Sequence, residues 1–181
     1  MLSFNLKQHA HKRLNILTVE RILVLTHRTK PLWQGKIETV NNIQRPQYDA
    51  SCYLGPGNNR SDGTVNADYK KPLAFTNDFA ALLEDAPHGN YNEQDLLLAE
   101  SEKGICRVIF FSHRHDLTLP QMEQEDIVNV IELWKQEFKT LAANFWIKYT
   151  QIFKNKGDIM GCSNPHPLEH ILSLSDNQLN C

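Results

Sequence analysis

Cysteine is sparse. The four residues, at 52, 106, 162 and 181, form no C-x-x-C pair, and their spacings do not look like a disulfide framework. A reducing compartment is the simpler expectation. Strong charge of either sign is missing too. A formal net charge of −2 gives no basic surface for nucleic acid or an anionic membrane. Long apolar runs are absent: VIFF at 108–111 is far too short to span a bilayer, and MLSFNLKQHAHKRLN carries no stretch of signal-peptide length. A cytoplasmic chain is therefore expected. No internal repeat, low-complexity tract, Walker A pattern or G-x-G-x-x-G pattern occurs.

What is present fits one ordinary globular domain. The 181 residues are 41% apolar and 22% charged, enough for a real core and against disorder. ERILVLT at 20–26 reads as a buried strand, and LAFT at 73–76 as a short one. NDFAALLED follows, with Asn77 or Asp78 placed to cap a brief helical turn. APHGNYNEQ reads as a polar connection to the strand-like DLLLAES. ICRVIFFS at 105–112 is the clearest strand, with neither face polar, so cover on both sides is expected.

Residues 121–143 predict a helix with an apolar stripe of Ile127, Val130, Ile131, Trp134, Phe138 and Leu141. Pro120 stands at its start and acidic residues in its first turns. WIKYTQIF then alternates as a strand. The order predicts an α+β fold of mostly antiparallel strands with one long helix. Residues 41–72, rich in Asn, Gly, Pro and Asp, predict a long irregular loop, of the kind usually functional or pinned by a metal.

Three constellations carry chemistry. Cys52, His115 and His166 are candidate ligands for a borderline cation such as zinc. The same residues also read as a buried hydrophobe and a surface histidine, because Gly55 stands where a zinc knuckle would place a second Cys. Arg28 and Lys30, Asn77 and Asp78, and the Gly-rich KNKGDIMGCSN suit an anion such as phosphate. They read equally as solvated loops and turn glycines. The turn His166-Pro167-Leu168 suggests an imidazole presented for nucleophilic work, but leucine can be neither nucleophile, base nor ligand.

The stretches HAHKRLN, ILVLTHRTK, YDASCYLGPGNNR, FTNDFAALLEDAP, CRVIFFSHRHDLTLPQM and QIFKNKGDIMGCSNPHP, in this order, resemble the N-terminal half of the galactose-1-phosphate uridylyltransferases. This family, also called UDP-glucose–hexose-1-phosphate uridylyltransferases, is a branch of the histidine-triad superfamily. The resemblance runs from about residue 9 to Pro167. It implies a histidine-triad-like half-barrel and a division into a domain at 1–167 and a divergent tail at 168–181. It implies transfer of UMP from UDP-glucose to galactose 1-phosphate through a uridylyl-histidine, in ping-pong order. Carried over by position, Arg28, Asn155, Gly161 and Ser163 contact phosphates, and Asn77 and Asp78 hold the ribose. Phe75, Phe79 and Val108 form the uracil pocket, and Cys52, His115 and His166 are three of four zinc ligands. The family's enzymes dimerise, so a homodimer is implied as well.

The departures are specific. Leu168 occupies the position of the nucleophilic His, and His170 that of a phosphate-binding Gln. Gly55 replaces a zinc-binding Cys. Pro31-Leu32 replaces an Arg-Pro pair, and Lys154 replaces a Glu. The family's C-terminal half is absent from these residues. In an extended segment His170 would sit about 6–7 Å from the nucleophile position, too far for in-line attack. LEHILSLSDNQLNC shows no motif likeness, the pattern that a reading-frame slip after the Pro167 codon leaves. The readings are therefore the family's transferase or a remnant without catalysis that binds nucleotide or zinc. A small histidine-triad nucleotide hydrolase is a third reading, and it needs the same missing His.

Overall fold

Gly104–Phe110 forms β6, and nearly every residue in it is buried, as an unbroken β-branched and aromatic run requires. The computed structural model describes residues 3–26, 45–61, 63–155, 160, 166 and 168–175. Around β6 stands an antiparallel sheet in the order β3-β6-β8-β7, with β3 at Leu73–Thr76, β7 at Tyr149–Phe153 and β8 at Leu168–Leu174. A second antiparallel sheet has the order β2-β1-β5-β4, from His11–Leu14 (β1), Arg21–Val24 (β2), Asn90–Glu93 (β4) and Leu97–Ser101 (β5). Neither sheet closes on itself. With one long helix, α1 at Gln124–Ala142, this is the expected α+β fold.

Three apolar clusters hold the layers. Val130 and Leu141 of α1 pack on Ile105, Ile109 and Phe111 from and beside β6, and on Ile171 of β8. On the opposite face Val108, Phe110 and Leu168 meet Cys52, Leu54 and Tyr69 of the long loop. The third cluster joins the sheets through Ala10, Leu82, Cys106 and Leu174. A buried ion pair reinforces that junction, Lys12 Nζ to Glu102 Oε2 at 2.9 Å, while Glu102 Oε1 accepts from the Ser175 N–H and hydroxyl.

Several local expectations are corrected. The 20–26 strand exists at Arg21–Val24, but as a sheet edge, and Ile22 is 60% exposed rather than buried. No helical turn follows β3. The Asn77 side chain instead accepts the Phe79 N–H at 2.9 Å, a local bond that competes with helix. Pro120 lies not in α1 but in a separate 3₁₀ turn, Leu119–Gln121, closed by a capping box between Thr118 and Gln121. The helix begins after Glu123. Ile131 and Phe138 sit on the margin of its stripe, 41% and 48% exposed. The polar strands β1 and β4 carry no alternation that reads as sheet; β4 is exposed throughout.

Residues 168–174, assigned to a tail by motif likeness, lie inside the sheet. β8 pairs with β6 from Phe110↔Leu168 to Gly104↔Leu174, and with β7 on its other side. The alternation is that of a working strand: Leu168, Leu172 and Leu174 face the loop and the sheet junction, and Ile171 faces α1. The limit at Pro167 is thus a break in motif, not in fold.

One residue of β8 fits its place poorly. Glu169 is 6% exposed, and its Oε2 has no hydrogen-bond partner among the described residues. Burial pushes its carboxyl above the ordinary range, against the opposing pull of the Lys154 charge and the Trp134 side chain. The folded state therefore favours the protonated acid. Stability is fullest below the ordinary carboxylate pKa and falls as pH rises through the raised value. Glu169→Gln is expected to unfold at higher denaturant than the parent, with a gap that widens as pH rises over this range; urea titrations across pH measure it.

Val19, in the turn between β1 and β2, has φ 59° and is 68% exposed. A β-branched residue is strained there. Val19→Gly loses little packing and is expected to gain about 1 kcal/mol of stability, the scale of the left-handed penalty, read as a shift in the urea midpoint.

Candidate functional site

The loop at 45–61 and 63–72 contains one isolated bridge, Asn59↔Val65, and no strand. Its backbone is satisfied by local turn bonds, such as the Gly55 N–H to the Cys52 carbonyl at 2.9 Å, and by side chains. Asn58 Nδ2 donates to the carbonyls of Asp49 (2.9 Å) and Cys52 (2.8 Å), and Tyr48 donates to Asn58 Oδ1. Asn66 Nδ2 donates to the carbonyls of Tyr53 and Gly55, both at 2.9 Å. The Asn-rich composition thus fixes the loop's shape and turns Cys52 inward.

Cys52 meets two histidines from distant parts of the chain. His115 comes from the turn after β6, anchored by its backbone N–H to the Gln47 carbonyl at 2.8 Å. His166 comes from the approach to β8. The three residues are 7%, 4% and 2% exposed, and their ligand atoms lie within 4.8 Å of one another. Cys52 Sγ stands 3.8 Å from His166 Nδ1. Tyr69 donates its hydroxyl proton to the Leu54 carbonyl at 2.8 Å, and its oxygen lies 3.3 Å from His166 Nε2. A neutral ring with its proton on Nε2 satisfies this oxygen and leaves the Nδ1 lone pair toward the sulfur, as a metal-ligating His requires.

Burial disfavours the charged form of both rings. Burial, helped by the nearby His115, lowers the His166 pKa to about 4. Burial also lowers that of His115, against the charge of Asp49. Burial raises the Cys52 thiol, opposed by the Leu54 and Gly55 backbone N–H groups that point to it. The sharpest observation is His115: both ring nitrogens are buried without a hydrogen-bond partner among the described residues. A buried imidazole with neither nitrogen satisfied is costly, and a cation bound by one of them would remove much of that cost. The reading of His115 as a surface residue is therefore corrected. The three side chains fit a borderline cation.

Among the described residues no fourth ligand joins these three. A Cβ at residue 55 would come within 2.5 Å of Asn58 Nδ2, and Asn58 is tied down by the three bonds described above. The Asn58 amide thus fills the space into which a side chain at 55 would project.

The other predicted residues divide into two groups. Arg28, Gly161 and Ser163 lie outside the described residues, as do Lys30 and most of KNKGDIMGCSN. Asn155 is half-buried, two residues past the end of β7. Phe75 and Val108 are paired across β3 and β6, whereas Phe79 is 59% exposed. Asn77 and Asp78 form the turn after β3. Asp78 is gripped by Arg60, which sequence reasoning passed over: Arg60 Nε donates to Asp78 Oδ2 at 3.2 Å and Nη2 donates to Oδ1. Tyr69 and Asn58 were passed over too, since no spacing rule links them to the site. Leu168 is 7% exposed, packed in the cluster with Cys52 and Phe110. His170, two residues on and on the same face, stacks on Phe153 at 5.6 Å.

The family model for the galactose-1-phosphate uridyl transferase N-terminal domain matches residues 2–179. The chain belongs to this family. The match passes beyond Pro167 and takes in β8. A galactose-1-phosphate uridylyltransferase of Haemophilus influenzae is 45% identical over 164 residues, covering 91% of this chain and 46% of the relative. That of Saccharomyces cerevisiae is 42% identical, covering 91% and 48%. The chain thus spans about half the length of the curated relatives it matches. A solved uridylyltransferase superposes with a TM-score of 0.66 at 21% identity, over 93% of this chain and 47% of that one, a likeness of fold. Among the described residues no helix is long and apolar enough to cross a membrane.

Cobalt(II) is expected to give a thiolate-to-metal charge-transfer band with the parent chain and none with Cys52→Ser. Gly55→Cys alone is expected to cost about 1–3 kcal/mol by overpacking against Asn58 without tightening cobalt binding. Adding Asn58→Ala relieves the clash and strengthens the band.

Proposed function

We propose that the chain is the N-terminal half of an enzyme that transfers UMP from UDP-glucose to galactose 1-phosphate. As it stands, it binds the uridine nucleotide and zinc but forms no uridylyl-histidine. The observation that carries the second statement is Leu168. It occupies the position at which the family places its nucleophile, and it is packed into the apolar cluster beside Cys52 and Phe110. Its side chain has no lone pair with which to attack phosphorus. His170 supports the same reading, since its ring is committed to Phe153 and it lies two residues away along β8.

Cys52, His115 and His166 would hold the zinc ion, which supplies a cross-link and Lewis acidity when bound. These residues join the long loop, the turn after β6 and the entry to β8. Asn77 and Asp78 would take the ribose, and Arg28, Asn155, Gly161 and Ser163 the phosphates. In this reading, as in the family, two copies pair, and the chain works in the cytoplasm. The domain at 1–167 supplies the nucleotide site, and of the tail at 168–181 the strand Leu168–Leu174 completes the sheet without completing the chemistry.

Incubation with UDP-glucose labelled in the uracil, followed by intact mass analysis, tests this. The expected result is no UMP adduct, with saturable UDP binding by calorimetry. An acid-labile, base-stable UMP adduct would overturn the non-catalytic reading. No UDP binding would overturn the nucleotide reading.

A further inference from the structure

Arg60 lies in the long loop, well away from β3 in sequence, yet it touches β3 and the turn after it at three points. Its guanidinium lies over the Phe75 ring, 3.9 Å from the centroid. Its Nη2 donates to the Thr76 carbonyl at 3.1 Å. Its Nε and Nη2 fork onto the two oxygens of Asp78. Ser61 Oγ adds a bond to Asp78 Oδ2 at 3.0 Å. The Arg60 and Asp78 side chains are 14% and 11% exposed.

The arrangement is held from behind. The Arg60 N–H donates to the Thr64 carbonyl at 2.7 Å, and the Arg60 carbonyl accepts from Gly63 at 3.1 Å. Gly63 has φ +87°, a turn that glycine adopts without strain. The Asn59↔Val65 bridge closes its base. A planar fork on a carboxylate fixes direction as well as distance.

The acceptor count shows what remains. A carboxylate offers about four acceptor positions. Arg60 Nε and Ser61 Oγ use two on Oδ2, and Arg60 Nη2 uses one on Oδ1. Among the described residues one position is left, on Oδ1, and its direction is set by the fork. A fixed, single acceptor of this kind selects a ligand hydroxyl over its absence, because the deoxy ligand leaves this last acceptor position desolvated and unfilled.

We propose that Arg60, assisted by Ser61, is the positioning residue that makes Asp78 a selective acceptor for a ribose hydroxyl of a nucleoside diphosphate. This rests on the nucleotide-binding reading above and adds to it the residue that sets sugar selectivity. Arg60 acts through Asp78 and through the capped Phe75 ring.

Calorimetry on the full chain, with UDP and with 2′,3′-dideoxy-UDP, tests the idea. The parent chain is expected to prefer UDP by about ten-fold or more, the scale of one hydrogen bond to a charged group. Arg60→Lys and Arg60→Met are expected to weaken UDP binding by about ten-fold while leaving dideoxy-UDP within about two-fold, so that the preference collapses. Ser61→Ala, the mildest change, lowers the preference by a smaller factor and decides the matter if both Arg60 variants misfold by circular dichroism. Equal losses for both ligands would show a merely structural role and overturn the proposal, as would an unchanged preference. A parent chain that binds both ligands equally would sink it while sparing the nucleotide reading. A parent that binds neither would sink both.

Discussion

The pairing of β6 with β8 is the constraint on which the rest of the molecule depends. Seven residue pairs join them, from Phe110↔Leu168 to Gly104↔Leu174, and the chain between them contains α1 and β7. The pairing fixes where His166 emerges, just ahead of Leu168. It also sets the end of β6, from which His115 turns back. Two histidines 51 positions apart in the chain thereby come within reach of one thiol. The opposite side of the same pair supplies the floor for α1 through Ile109 and Ile171. Site and core therefore share two strands, and a register slip of one residue would exchange Leu168 for Glu169 on the site face.

Much of this was legible in the sequence, for physical reasons that differ by element. β3 and β6 announce themselves as short apolar runs and β7 and α1 by their periodicity, and both are local signals. β1 and β4 do not. HKRL and NYNE are strands because neighbours pair with them, not because their own residues demand it. β8 was hidden for another reason: its motif departs from the family at Leu168, although its alternation suits a sheet. The site was legible unevenly. Cys52, His115 and His166 were singled out by motif, while spacing alone left His115 equally readable as a surface residue. Only the long-range packing buries it. Arg60 and Asn58 were invisible, because their partners lie in turns whose geometry no local pattern predicts.

The long loop shows how a stretch without regular structure is made rigid. Asn58 and Asn66 take the roles that ladder hydrogen bonds play in a sheet, donating to the carbonyls of Asp49, Cys52, Tyr53 and Gly55. Arg60 ties the same loop to β3. One contiguous segment thus shapes both the candidate metal centre and the candidate ribose site. The Asn58 amide serves the first at a cost in ligand number, since it stands where a fourth protein ligand would project. Among the described residues the three-residue set follows from packing as much as from the glycine at position 55.

The ion pair between Lys12 and Glu102 has a consequence for how the molecule comes apart. Lys12 belongs to one sheet, and Glu102 also holds the Ser175 backbone, immediately after the last strand of the other. Separating the sheets would break this pair, its bonds to Ser175 and the apolar cluster at the same junction together. Half-open states, with one sheet intact and the other frayed away, lose all of these contacts at once. The two sheets are therefore coupled through one junction, although none of the described strands passes from one to the other.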